Sequence, residues 1–243
     1  MHGLFGRGAD LVPFAEALLA GRARAVIPDL LAHGDSPALP PEANLGTMAD
    51  AIVALLDRLD LAEPLPVVAH SMGGRIALRL HERHPGRLGR LVLLDTPAGT
   101  IDERRSPLSP FLRALSLAPS RAATRPELLA PFQRVMMGDL LRAWMESRVV
   151  EAAEGFGWNF DRQALIDYRN NTLLEALWDV VEGLGPGRLS VYAPRVSVYL
   201  RRAERARYEQ CGIEVVSVEG ARHDLYANVP VPVLEQIRAA VSP

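Results

Sequence analysis

The chain has 243 residues, 27 basic and 29 acidic side chains, a formal net charge of −2 and 49% hydrophobic residues. That balance supplies a substantial core, excludes a disordered, collagen-like or coiled-coil chain, and shows no polybasic surface of the kind that binds nucleic acid or an acidic membrane. A single cysteine, Cys211, rules out an intrachain disulfide and a cysteine-rich metal site. No apolar run approaches the ~18 residues of a membrane span, and the first residues lack a signal-peptide pattern, so a soluble cytoplasmic protein without stable membrane insertion is expected.

Short β-type runs alternate with helix-length periodic segments, the pattern of an α/β protein with a mostly parallel sheet flanked by helices. The first strand is expected at residues 25–28. Thr47 and Asp50 form a capping signature ahead of a helix marked by Ile52, Leu55, Leu56 and Leu59. A second strand at 65–69 runs through a turn into a helix bearing Ile76, Ala77 and Leu80, and a third strand follows at 91–94. From 96 to 194 the alternation stops and the pattern is helical. Met137, Leu140, Leu141, Trp144 and Met145 make one apolar face; Leu173, Leu174, Leu177, Trp178 and Val181 make another, with a proline-rich break at 119–131. This segment is read as a helical cap inserted into a core formed by 1–95 and 195–243, whose last strands are expected at 196–200 and 213–218.

The sharpest chemical signal is Val67-Val68-Ala69-His70-Ser71-Met72-Gly73-Gly74, a β-run, a serine between small residues, and a helix. A nucleophile on so tight a strand-to-helix turn needs small flanks, here Ala69 and Gly73, for the chain to pass close to itself. Such a turn exposes the Ser71 hydroxyl and aims the Met72 N–H at the point where an oxyanion would form.

Met1-His2-Gly3-Leu4-Phe5-Gly6 resembles the His-Gly oxyanion loop of the α/β-hydrolase fold family, and Pro28-Asp29-Leu30-Leu31-Ala32-His33-Gly34-Asp35-Ser36 resembles the loop after that family's next strand. Gly220-Ala221-Arg222-His223-Asp224 resembles the loop that carries its catalytic histidine. The resemblance implies Ser71 as nucleophile, His223 as general base and then acid, and the N–H groups of Leu4 and Met72 as oxyanion hole. His2 and His33 are expected to brace loops, His70 to point away from the nucleophile, and His81 and His84 to be solvated.

The family's usual acid position, after the strand read at 196–200, holds Arg201-Arg202-Ala203-Glu204 and no aspartate. Asp95 ends the strand at 91–94 instead, which is similar to the arrangement in a small-esterase branch of the family that shares the opening His-Gly-Leu-Phe-Gly and the His-Ser-Met-Gly-Gly elbow. Asp95 is therefore taken as the triad acid, with Glu204 as the alternative.

The reaction implied is cleavage of a small-molecule ester or thioester through an acyl-enzyme, with no metal or organic cofactor. A carbon–carbon bond hydrolase or lyase using the same triad is the alternative reading. Phe5, Trp144 and Trp158 are candidate substrate contacts, and Arg201 or Arg202 a candidate site for an anionic substrate group. The resemblance also implies a strand immediately before the His-Gly loop and two more before that, none of which precedes Met1, so a truncated, binding-only homologue is a further expectation.

Overall fold

A computed structural model describes residues 1–102, 109–135 and 139–242. Four parallel strands form the main sheet in the order β1 (Leu65–His70), β2 (Leu88–Leu94), β6 (Leu189–Pro194), β7 (Val215–Val218). β2 lies inside this sheet and its apolar run is buried on both faces, as expected for a covered parallel strand. Leu91 and Leu93 pack with Ile76, Leu80 and Val191 on one face, while Val92 and Leu94 pack with Phe14, Leu18 and Ile237 on the other. The period of two thus sorts neighbouring residues between two cores.

Helices α1 (Val12–Leu19) and α10 (Val231–Val241) cover one face, and α2 (Leu45–Arg58) packs against α3 (Met72–Arg83) over the other. The N-terminus of α2 is set by Asn44, not by Thr47. The extended Asn44 accepts the Thr47 N–H at 3.1 Å, and its own N–H donates to Thr47 Oγ1 at 3.2 Å. Asp50 lies a turn further on, where it pairs with Arg83 at 2.7 Å and with His84 at 2.6 Å, so His84 is engaged and not merely solvated.

Two expected strands are corrected. Residues 25–28 join no ladder; together with β1 they line an apolar groove of about 680 Å³ instead of pairing with it. At the carboxyl end of β1, Met1 occupies that edge instead: its N–H group donates to Val68 O at 2.7 Å, and the His70 N–H donates to Met1 O at 3.0 Å. Residues 196–200 form a loop; the strand comes earlier, as β6, where Leu91 to Leu94 register with Leu189 to Tyr192. The sheet therefore resumes inside the segment expected to be cap.

The remainder of that segment is not purely helical. Between β2 and β6 lie α4 (Ser109–Leu117), β3 (Arg121–Ala122), α5 (Arg125–Leu129), α6 (Asp139–Glu146), β4 (Val149–Ala152), β5 (Gly155–Trp158), α7 (Arg162–Thr172) and α8 (Trp178–Leu184). Strands β3, β5 and β4 make a small antiparallel sheet, and the turn into β5 uses Gly155 at φ +88°, a conformation open to glycine. Met137 lies outside the described residues, as do the side chains of Leu140 and Leu141; Met145 is buried and Leu174 exposed. The insertion is tied to the front of the molecule by Gly34 N–H to Asn159 O at 2.8 Å, Asp161 N–H to Ala32 O at 2.7 Å, and a paired contact of Arg148 with Asp10 at 2.8 and 2.9 Å. α9 (Arg202–Gln210) connects β6 to β7. Among the described residues no helix is long and apolar enough to cross a membrane.

Candidate active site

Ser71 sits between β1 and α3 at φ 52°, ψ −116°, a left-handed strand-to-helix turn that costs a non-glycine residue of order 1–3 kcal/mol. Its surroundings enforce the turn. The Ser71 N–H donates to Leu94 O at 3.0 Å. A Cβ on Gly73 would stand 2.5 Å from His2 O, and one on Gly74 would overlap the Thr96 side chain, so the elbow closes only with glycine at both places. Met72 opens α3, where an N–H has no intrahelical acceptor.

The parallel register pairs His70 with Leu94 and Leu94 with Tyr192, which brings the next residues, Ser71 and Asp95, to adjoining strand ends. Asp95 has left-handed backbone at φ 46°, its N–H donates to Tyr192 O at 2.7 Å, and it is fully buried. The loop after β7 returns over the sheet edge and delivers His223. Its Nδ1 lies 2.7 Å from Asp95 Oδ2 and its Nε2 lies 3.1 Å from Ser71 Oγ. The second carboxylate oxygen, Asp95 Oδ1, accepts the Ser197 hydroxyl at 2.6 Å, and Ser197 Oγ accepts the N–H groups of Tyr199 and Leu200 at 3.0 and 2.8 Å. The Tyr199 ring packs 4.9 Å from the His223 ring.

His70 points away from the Ser71 hydroxyl and grips the histidine loop instead: its Nε2 donates to His223 O at 2.7 Å. His2 and His33 brace the opening loop. His2 Nε2 accepts the Leu30 N–H at 3.0 Å and His33 Nε2 accepts the Phe5 N–H at 3.1 Å, while their Nδ1 atoms lie 2.8 and 2.9 Å from the carbonyls of Gly3 and Leu31. This pattern fixes each ring as the neutral Nδ1–H tautomer. Burial holds all three imidazoles below their ordinary range, His33 at about 4.

Leu4, Ser71 and Met72 together line a cavity of about 50 Å³ with Arg75, Tyr168, Arg169, Thr172, Leu173 and Tyr199 among its other walls. Phe5, Trp144 and Trp158, expected as substrate contacts, do not line it. Phe5 is buried against Phe160, Trp158 stacks on the same ring and donates its indole N–H to Pro119 O at 2.9 Å, and the Trp144 ring lies beneath Arg148. Arg201 and Arg202 are exposed at the start of α9, also outside the cavity. Glu204 is directed elsewhere: it accepts the Gly99 N–H at 2.8 Å, with its carboxyl pushed up by burial.

Sequence reasoning missed Ser197, Arg75 and Arg169. The Arg75 guanidinium is buried and donates to the carbonyls of Pro97, Gly99, Thr172 and Glu175 at 2.6–3.1 Å, bolting the helix after the elbow to the loop after β2 and to the end of α7. Its partners lie 22 to 100 residues away, beyond the reach of any local pattern. Among the described residues no cluster of three or more His, Cys, Asp or Glu side chains could hold a metal ion.

The sequence profile of the alpha/beta hydrolase fold matches residues 1–143. The chain is 29% identical over 180 residues to the sn-1-specific diacylglycerol lipase ABHD11 of Mus musculus, covering 69% of this chain and 56% of that protein. It is 32% identical over 145 residues to lipase LipV of Mycobacterium tuberculosis, covering 58% of this chain and 54% of that protein. The chain thus spans about half the length of these curated relatives. Among solved structures, a marine microorganism esterase superposes with a TM-score of 0.79 at 20% identity, over 99% of this chain and 93% of that one. A profile match over more than half its length, with the fold shared across nearly all of it, means that the chain belongs to the alpha/beta hydrolase fold family.

Proposed function

We propose that this chain is a serine esterase or thioesterase acting through an acyl-enzyme, with Ser71 as nucleophile, His223 as general base and acid, and Asp95 orienting the imidazole. The observation that carries this reading is the unbroken line from Asp95 Oδ2 through His223 Nδ1 and Nε2 to Ser71 Oγ, at 2.7 and 3.1 Å. A hydroxyl at its ordinary pKa is a weak nucleophile, and a neutral imidazole at hydrogen-bond distance takes its proton as the bond to the carbonyl carbon forms. Buried Asp95 accepts the Nδ1–H, which leaves the Nε2 lone pair facing Ser71 and stabilises the imidazolium that forms.

The N–H groups of Leu4 and Met72 supply the oxyanion hole, worth about 10²–10³-fold per donor in comparable sites. The imidazolium then protonates the departing alcohol or thiol. A water enters, His223 removes its proton, and collapse of the second tetrahedral intermediate returns the proton to Ser71 Oγ and releases the acid. The described insertion between β2 and β6 serves as the cap over this site. Relatives named as lipases and an esterase favour a small-molecule acyl ester as the substrate class.

The test is fluorophosphonate labelling together with turnover of p-nitrophenyl and CoA esters, each with Ser71→Ala alongside. Labelling and turnover that vanish in the variant support the reading. Labelling without ester turnover favours carbon–carbon bond cleavage by the same residues, and neither labelling nor turnover overturns the hydrolytic assignment.

A further inference from the structure

On α7 the buried residues are Leu165, Tyr168, Arg169 and Thr172, the i, i+3, i+4, i+7 stripe that a helix turns inward. A guanidinium on that stripe is unusual, because arginine is rarely placed where its charge loses water, and a buried polar group is the informative exception. Arg169 is 9% exposed, and it lines the same cavity as Ser71, Met72 and Leu4. A second cation, Arg75, also lines the cavity and donates to four backbone carbonyls. Among the described residues lining the cavity none is acidic, and Leu45, Pro97, Ile101 and Leu173 give it apolar walls.

We infer that Arg169 selects the substrate: the acyl group cleaved at Ser71 is short and ends in a carboxylate, which the Arg169 guanidinium receives. Apolar walls accommodate a few methylenes, and the about 50 Å³ of space beside the nucleophile favours a short chain over a long one. A guanidinium fork binds a carboxylate by two charge-assisted hydrogen bonds, strongest where water is excluded. Whatever Arg169 touches in the absence of substrate, a carboxylate tethered to the ester brings its own opposite charge to a desolvated cation. The inference moves the anion-binding role expected of Arg201 or Arg202 to a residue within the cavity.

This proposal rests on the reading of Ser71 as nucleophile, and its test separates the two. Aryl pentanoate and aryl hemiglutarate have the same chain length and differ in the terminal carboxylate. The unaltered protein is expected to favour the hemiglutarate in kcat/KM by at least about tenfold. Arg169→Gln should lower the hemiglutarate-to-pentanoate ratio of kcat/KM by about 10- to 100-fold, chiefly through the KM for the hemiglutarate, while fluorophosphonate labelling persists; Arg169→Lys should recover part of the loss. Should Arg169→Gln fail to fold, inhibition of the unaltered protein decides: glutarate should compete with the neutral ester, and glutaramide should not. Equal loss on both esters, no preference for the anionic ester, or equal inhibition by glutarate and glutaramide overturns the proposal while leaving the nucleophile assignment intact. Loss of labelling and of all turnover by the unaltered protein overturns both.

Discussion

Ser197 donates its hydroxyl to Asp95 Oδ1 across 2.6 Å, from the loop after β6 to the end of β2, 102 residues away in sequence. The segment expected to be the strand ahead of the usual acid position thus holds a hydrogen-bond donor to Asp95. Removing that hydroxyl with Ser197→Ala leaves a buried carboxylate oxygen without this donor and strips the Tyr199 and Leu200 N–H groups of their acceptor. The expected outcome is a fall in kcat of about tenfold, with KM within a factor of two and the acid limb of the kcat/KM–pH profile displaced. Ser197→Thr should restore most of the loss. An Ala variant with an unaltered pH profile and wild-type kcat would show that the contact does not position the acid.

Asp95 and Glu204 can be separated by isosteric amides. Asp95 adopts left-handed backbone, which asparagine tolerates well, so Asp95→Asn changes the charge and the His223 tautomer without disturbing the turn. The expected fall in kcat is about three to four orders of magnitude. Glu204→Gln retains an oxygen for the Gly99 N–H and should leave kcat within about threefold. Steady-state rates on one ester suffice, and the reverse ordering would falsify the assignment of Asp95.

What was legible in the sequence, and what was not, follows from the range of the contacts. The elbow is contiguous, and its requirements for a β-run, small flanks and a following helix are all written within residues 65–83, so its geometry was readable. The histidine loop follows a β-branched run and was equally plain. Residues 25–28 have strand composition, but a strand is a relation between two backbones, and composition says nothing about the partner. Residues 196–200 repeat that error, since the β-branched Val196 and Val198 drew the strand past β6, whose end at Pro194 reads as a breaker. β3, β4 and β5 are two to four residues long and show no period. Ser197 and Arg75 act across the fold, through contacts that exist only once the sheet has assembled.

The glycines of the elbow give a packing test. A methyl on Gly73 meets the backbone carbonyls of Met1 and His2, neither of which can rotate away. Gly73→Ala should destabilise by about 1–3 kcal/mol and displace the loop carrying Leu4, lowering kcat as well. Gly183→Ala provides the contrast: in α8 a Cβ there meets nothing within 4 Å, and the substitution should be neutral or stabilise by about 0.5–1 kcal/mol. Urea midpoints for the two variants check both signs.

Acid sensitivity follows from three buried neutral imidazoles. His33 is held at about 4 when folded against an ordinary value of 6.5, because burial penalises its cation and its Nε2 already faces the Phe5 N–H. Between those values the unfolded chain binds a proton that the folded chain does not, so stability falls as pH drops from 6.5 and this contribution levels off below about 4. The difference corresponds to about 3 kcal/mol for His33. His2 and His70 are displaced in the same direction by burial, so the combined slope should exceed one proton per molecule in the pH range 6 to 5. Urea unfolding at several values between pH 7.5 and 4.5 measures that slope. His33→Gln, which keeps a neutral acceptor near the Phe5 N–H, should lower stability at pH 7.5 yet flatten the acid slope by about one proton. A slope that His33→Gln leaves unchanged would mean that His33 is already protonated in the folded chain, at odds with its place as acceptor to Phe5.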